Sequence, residues 1–235
     1  MKGFKHKPQE QKAEPINWTQ VAIAAFCVVM AVGMVVSMFG TSWLNFFTSV
    51  KENDRVVIDF TFFDELGRPI LTTSQSTYQR AFDQNQMIFF TTKMPLVAGS
   101  RTERELVPIE VFSHYTASGL MEFGLFRPEI DEMAHAVIGQ KVGTAIHVPI
   151  PMSVDLVRSM DNEQFVQIAG EVLDFIQVGD QLPISFSETP QVVLDDVTPL
   201  TYLRTATIAE IIEDGVTLDY GYPYVTVTVT EIRTI

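Results

Sequence analysis

From Val21 to Phe39 the chain reads VAIAAFCVVMAVGMVVSMF, nineteen residues without a charge. A helix of that length rises about 28 Å, close to the roughly 30 Å hydrocarbon layer of a bilayer. Trp18 and Trp43 bracket the run, where the aromatic belts of a membrane span lie. A cleaved signal peptide is the competing reading. Its apolar region would be shorter, about 7–15 residues, and would end in a small-residue cleavage site. The flank SMFGTSW is a poor one, so the segment 18–40 is expected to be an uncleaved transmembrane anchor.

The charges then orient it. Residues 1–17 carry Lys2, Lys5, Lys7 and Lys12 against Glu10 and Glu14, while Lys51 is the basic residue nearest the other end. The positive-inside rule places the tail 1–17 in the cytoplasm and the C-terminal body outside a plasma membrane. With a formal charge of −13 and a net-positive tail, the body is strongly acidic. That excludes nucleic acid as a partner, because phosphate binding needs Lys and Arg to neutralise it. The single cysteine, Cys27, lies in the apolar run, so the body has no disulfide and no cysteine metal site within one chain. His6, His114, His135 and His147 show no ligand spacing, and no metal or cofactor is expected.

The body reads as mostly β. Around DRVVIDFTFFDELGRPILTTS (54–74), Ile58, Phe60 and Phe62 alternate with Asp59 and Thr61, and Gly67 marks a turn before a return strand. Strand pieces are expected near 86–92 and 107–113, with a polar link at 99–105. In RPEIDEMAHAVIGQKVG, Ile130, Met133, Ala134, Val137 and Ile138 fall on one helical face, with Pro128 at its start and Gly139 at its end. The segment VGTAIHVPIP predicts a strand directly after. Short helices are expected around 152–159 and 162–169. Strands are then expected in VGDQLPISF and QVVLDDV, in a hairpin IAEII-EDG-VTLDY turning at Asp214-Gly215, and in VTVTVTEI at the end. Carboxylate clusters such as Asp64-Glu65 and Glu129-Asp131-Glu132 sit at expected turns and helix starts. There they serve turns, solubility and the helix dipole.

The order of strand, Gly turn, TTS, short helix with GQKVG, and strand ending in prolines resembles the FKBP-type peptidyl-prolyl cis-trans isomerases. Segments 54–74 and 128–151 carry the pattern. The stretches QVGDQL (177–182) and IAEIIEDGVTLDY (208–220) resemble the SlyD-like and long archaeal branch, in which an extra chaperone-like region is inserted into the flap. Joined to the N-terminal transmembrane helix read above, the resemblance implies an α+β fold: an FKBP-like antiparallel sheet wrapped on a short helix, with a mostly β insert. It divides the body into a core at 51–151, an insert at 152–215 and a closing strand at 216–235.

The resemblance also implies a substrate-binding cradle, and this chain departs from the family there. Phe60 stands where the family has Tyr, Leu71 where it has Phe, and Thr72 where it has Asp. Ile130 matches the residue whose backbone N–H meets the peptide, Met133 takes the floor position, and Val225 replaces an aromatic of the last strand. The flap Tyr has no counterpart, and no certain catalytic residue can be named. Prolyl isomerisation lowers an amide barrier of about 18–20 kcal/mol by moving the twisted bond into an apolar pocket, without acid, base or nucleophile. Two readings therefore stand. One is a membrane-anchored isomerase-like folding or assembly factor with weak or lost activity, acting on proline-containing clients. The other is a non-catalytic scaffold or accessory subunit of a membrane protein complex.

Overall fold

The computed structural model describes residues 18–39, 48–114, 120–169, 176–187 and 201–233. It separates into two units, 1–44 and 45–235. In the first, helix α1 (Trp18–Phe39) is long and apolar enough to cross a membrane; a signal sequence near an N-terminus has the same character.

The second unit is a mixed α+β body built on one curled sheet. Its strands are β1 (Arg55–Phe63), β2 (Pro69–Thr72), β3 (Phe89–Thr91), β4 (Met94–Val97), β5 (Leu106–Phe112), β6 (Leu120–Phe126), β7 (Ala145–Pro149), β8 (Val157–Asp161), β9 (Gln181–Ser187), β10 (Thr201–Ile212), β11 (Gly215–Asp219) and β12 (Tyr224–Arg233). Among the described residues three α-helices accompany them: α2 (Gln75–Asp83), α3 (Arg127–Ala136) and α4 (Asn162–Ala169). The sheet order is β7-β12-β1-β2-β3-β5-β6-β10-β11-β8, with β4 also on β1 and β9 also on β10.

Strand β1 shows why the alternating pattern succeeds. Val56, Ile58, Phe60 and Phe62 point into the core, and the residues between them are partly exposed. It is flanked by β12 along its whole length and by β2 and β4 at its two ends. The antiparallel expectation holds for most pairs, but β2–β3 and β6–β10 run parallel. The β6–β10 contact is a single register pair, Leu203↔Phe123, where two parts of the sheet meet.

Helix α3 forms where the 3.6-residue pattern placed it. Pro128 sits in its first turn, and the Glu129 carboxylate accepts the Phe126 N–H at 2.8 Å, closing the N-terminus. Gly139 lies beyond the helix at φ +78°, a backbone few side chains adopt, and its N–H donates to the Val50 carbonyl at 2.7 Å.

Three hydrophobic clusters result among the described residues, the smallest being Tyr78, Ala81 and Ile88 at α2. The largest gathers β1, β2, α3 and β12 with Phe89, Phe123, Leu203 and Tyr222. The second contains Met160, Phe165, Ile184, Ala206, Ile208, Val216 and Leu218, from β8 to β11 and α4. Strand β10 serves both: Leu203 packs into the first, and Ala206 and Ile208, of opposite parity, into the second. Its residues 202–206 are consecutively buried for that reason. Strand β11 lies with the second cluster, and the strand that returns to β1 and β7 is β12.

Three local expectations change. The helix expected at 152–159 is a 3-10 turn at Pro151–Asp155 followed by β8, an edge strand with only Met160 buried. The hairpin turns at Glu213-Asp214, with Gly215 already paired opposite Ile212. Gly215 is needed for close approach, since a Cβ there would stand 2.2 Å from the Met160 carbonyl oxygen. Helix α2 was not anticipated: Ser74 caps it, accepting the Thr77 N–H. The expected strand QVVLDDV lies outside the described residues.

Candidate functional site

The six cradle residues do come from elements that meet. Phe60 is on β1, Leu71 and Thr72 on β2, Ile130 and Met133 on α3, and Val225 on β12. Phe62 of β1 is the register partner of both Leu71 and Val225, so β1 holds β2 and β12 on its two edges. The five apolar members belong to one cluster. All six are buried in the structure. Leu71, Thr72, Met133 and Val225 are 0% exposed, Phe60 2% and Ile130 6%.

Aromatic rings crowd the same cluster. Phe60 meets Phe62 edge-on at 5.7 Å, and Phe62 lies 5.7 Å from Tyr222. Tyr222 in turn is 6.3 Å from Phe123, which is 5.6 Å from Phe89. Thr72 spends its hydroxyl locally, sharing a hydrogen bond with Thr61 Oγ1 at 2.7 Å and accepting the Ser74 N–H at 3.0 Å. Phe60 alone of the six borders a described depression, of about 160 Å³, beside Thr91, Met94 and Ile109.

Beside the cradle lies a buried ion pair that the sequence reading missed. Arg204 of β10 and Glu129 of α3 are 1% and 0% exposed at their side chains. Arg204 Nη1 donates to Glu129 Oε2 at 3.1 Å, and Nη2 donates to Oε1. Nη1 also reaches the Gly124 carbonyl at 3.0 Å, and Nε reaches the Tyr220 carbonyl at 2.7 Å. The guanidinium carbon sits 4.0 Å from the Tyr222 ring centre and 4.5 Å from that of Phe126. Burial pulls the Arg204 pKa down, but Glu129 and the neighbouring tyrosines outweigh it, and the group stays charged. Burial pushes the Tyr222 phenol well above its ordinary range, and its hydroxyl donates to the Thr205 carbonyl at 3.1 Å.

With two aromatic rings against its guanidinium and its donors directed at protein acceptors, Arg204 clamps α3, β6 and β10 together. Its partner lies 75 residues away, a separation no local pattern reports. The one signal available was a lone arginine within the uncharged run TYLRTATIA.

Chemistry beyond packing is sparse here. Among the described residues no group of three or more His, Cys, Asp and Glu could hold a metal ion. Exposed large apolar side chains of the body are Leu66, Phe112 and Ile138 and, in greater number, Val154, Val157, Val166, Val178, Ile211 and Ile212, among the described residues. Compared with models of known protein families and with curated proteins, the chain matches none.

Proposed function

We propose that this protein is a membrane-anchored, extracytoplasmic folding or assembly factor, built on an FKBP-like frame and acting by holding other polypeptides. The observation that carries the non-catalytic reading is the burial of the cradle. Isomerisation requires an open apolar pocket for the prolyl bond, and the residues that would line it are at most 6% exposed. The order β1, β2, α3, β7, then a long excursion and a final strand between β1 and β7, supports the FKBP-like frame. The excursion carries most of the exposed apolar side chains of the body, including Ile211 and Ile212 beside the β10–β11 turn. Surfaces of that kind mark contact with other chains.

The plasma membrane location, with the N-terminus cytoplasmic and the bilayer as partner, belongs to this proposal. It is supported by the apolar α1 and the lysines that precede it. A second reading, an isomerase of low activity, draws on Phe60, which reaches a surface depression.

The test is a client assay with the full chain in detergent micelles. Aggregation of a chemically unfolded, proline-containing client should slow in proportion to added protein, and Ile211→Ser with Ile212→Ser should weaken that effect. Aggregation at the same rate with and without the well-folded protein would overturn the holding reading.

A further inference from the structure

Charge is divided unevenly along the body. Residues 51–150 carry thirteen Asp and Glu against nine Lys and Arg. Residues 151–219, within the excursion between β7 and β12, carry thirteen again, but only Arg158 and Arg204 oppose them. Arg204 is moreover buried against Glu129. The stretch that exposes most of the apolar side chains is therefore also the most acidic one.

Strand pairing gathers both properties on one sheet face. Across β10, β11 and β8 the register rows are Thr207–Asp219–Val157, Glu210–Thr217–Ser159 and Ile212–Gly215–Asp161. Residues of one row share a side of the sheet, and so do alternate rows. The bulge between Ile208 and Glu210 keeps these three rows on the same side. The residues that alternate with them, Ile208, Met160, Val216 and Leu218, fill the second cluster and are covered.

The first face is open. Val157 is 44% and Ile212 47% exposed, at its diagonal corners, and Ser159, Asp161 and Glu210 are exposed between them. Ser159 Oγ and Thr217 Oγ1 share a hydrogen bond at 3.0 Å in its middle. None of the nine residues is Lys, Arg or His, and Arg158 alternates to the other side with Met160. Two carboxylates are fixed by the backbone. Asp161 Oδ1 accepts the Gln164 N–H at 2.8 Å, and Asp219 Oδ1 accepts the Gly221 N–H at 2.8 Å. Glu210 forms no ion pair with a described residue.

The sign of the charge selects the occupant. Nucleic acid and an anionic lipid surface carry the same sign as this face and are repelled by it. A complementary partner sets cations against Glu210, Asp161 and Asp219 and aliphatic groups against Ile212 and Val157. A polypeptide segment in which Lys or Arg alternates with aliphatic residues supplies both.

We propose that the open face of β8, β11 and β10 docks cationic, aliphatic polypeptide segments, with Glu210 and Asp161 meeting the cations and Ile212 and Val157 the apolar side chains. The assignment rests on the reading of the protein as one that holds polypeptides, but its test is separate. The full chain in non-ionic detergent micelles is titrated with short peptides of equal length in which Lys alternates with Leu, Glu with Leu, or Lys with Ser. Spermine is the further titrant. Binding is followed by the backbone amide shifts of residues 157–161 and 215–219, which a peptide bound only to the micelle does not move.

The Lys/Leu peptide should bind saturably and more weakly as salt is raised. The Lys/Ser peptide should bind less tightly, and the Glu/Leu peptide should leave these amides unmoved. Glu210→Lys should weaken Lys/Leu binding about fivefold, because a surface ion pair is lost and a like charge takes its place. Glu210→Gln should do so by a smaller factor. Glu110→Lys, an equal change of net charge on β5, should leave the affinity unaltered. Thermal melts close to that of the parent show that these variants are folded. Unmoved amides with the Lys/Leu peptide, Glu/Leu or spermine binding as tightly, or an equal loss in Glu110→Lys would each overturn the assignment. If client aggregation is still slowed while the Lys/Leu peptide fails to bind, this assignment falls and the holding reading stands. If the peptide binds while aggregation is unaffected, the reverse holds.

Discussion

Two corners of the body pack a short helix against β-strands with aromatic rings between, and they reach opposite ends. At α3, Ile130 and Met133, with Val137 just past the helix end, enter the larger cluster, Ala134 is buried, and nothing of the expected cradle faces solvent beyond a few per cent of Phe60 and Ile130. At α2 only Tyr78 and Ala81 are buried, and Phe112 and His114 stay at the surface. The difference follows from what covers each corner. Tyr222, Phe123 and Leu203 arrive from distant parts of the chain and close over α3, whereas α2 packs beside β2 and β3 with one face open. The same local pattern, a short helix on strands, can therefore end with its residues buried or with them at the surface.

The sharpest way to break the sealed corner is to remove one partner of its ion pair. Arg204→Met should cost about 3–5 kcal/mol in a urea melt, because Glu129 is left charged and buried without a partner. Converting Glu129 as well, in Arg204→Met/Glu129→Leu, should recover most of that loss. A single Arg204→Met variant as stable as the parent would mean that the clamp is not closed in solution.

Truncation within the sealed corner comes next. Leu71→Ala should cost about 2–5 kcal/mol, the range for a large apolar side chain cut back in a packed core. The matching truncation in the open corner, Phe112→Ala, should change stability by less than about 1 kcal/mol, since much of that ring already meets water. Near-equal losses at the two positions would erase the contrast.

The smallest effect concerns pH. Burial raises the Asp219 pKa above the ordinary aspartate value of 3.8. In the pH interval between those two values the folded chain holds more proton than the unfolded one. Stability should thus fall slightly as pH rises through that interval and level off above it. Asp219→Asn should remove this slope, keeping an acceptor for the Gly221 N–H that Asp219 Oδ1 now binds at 2.8 Å. A melt series across mildly acidic pH checks it.

What the sequence made legible was the local order. The alternation of β1, the apolar face of α3 and the final Val-Thr strand each depend on neighbours two to four residues apart, and each is visible in the letters. Helix α2 escaped because QSTYQRAFD buries only two side chains, leaving the Ser74 cap as its single cue. Strand β8 escaped because an edge strand with one buried residue shows no alternation. The state of the cradle was not legible, since it depends on packing by Phe123, Leu203 and Tyr222 and on a charge pair spanning 75 residues.

The most direct measurement of the closed cradle is NMR exchange spectroscopy of cis–trans isomerisation in a short X-Pro peptide, with and without the full chain in detergent micelles. The account predicts the uncatalysed rate at every protein concentration, from a chain shown to be folded by its melt. A rate that rises with protein concentration and returns to the uncatalysed value in a folded Phe60→Ala variant would contradict it, and would make Phe60 and its depression a working site.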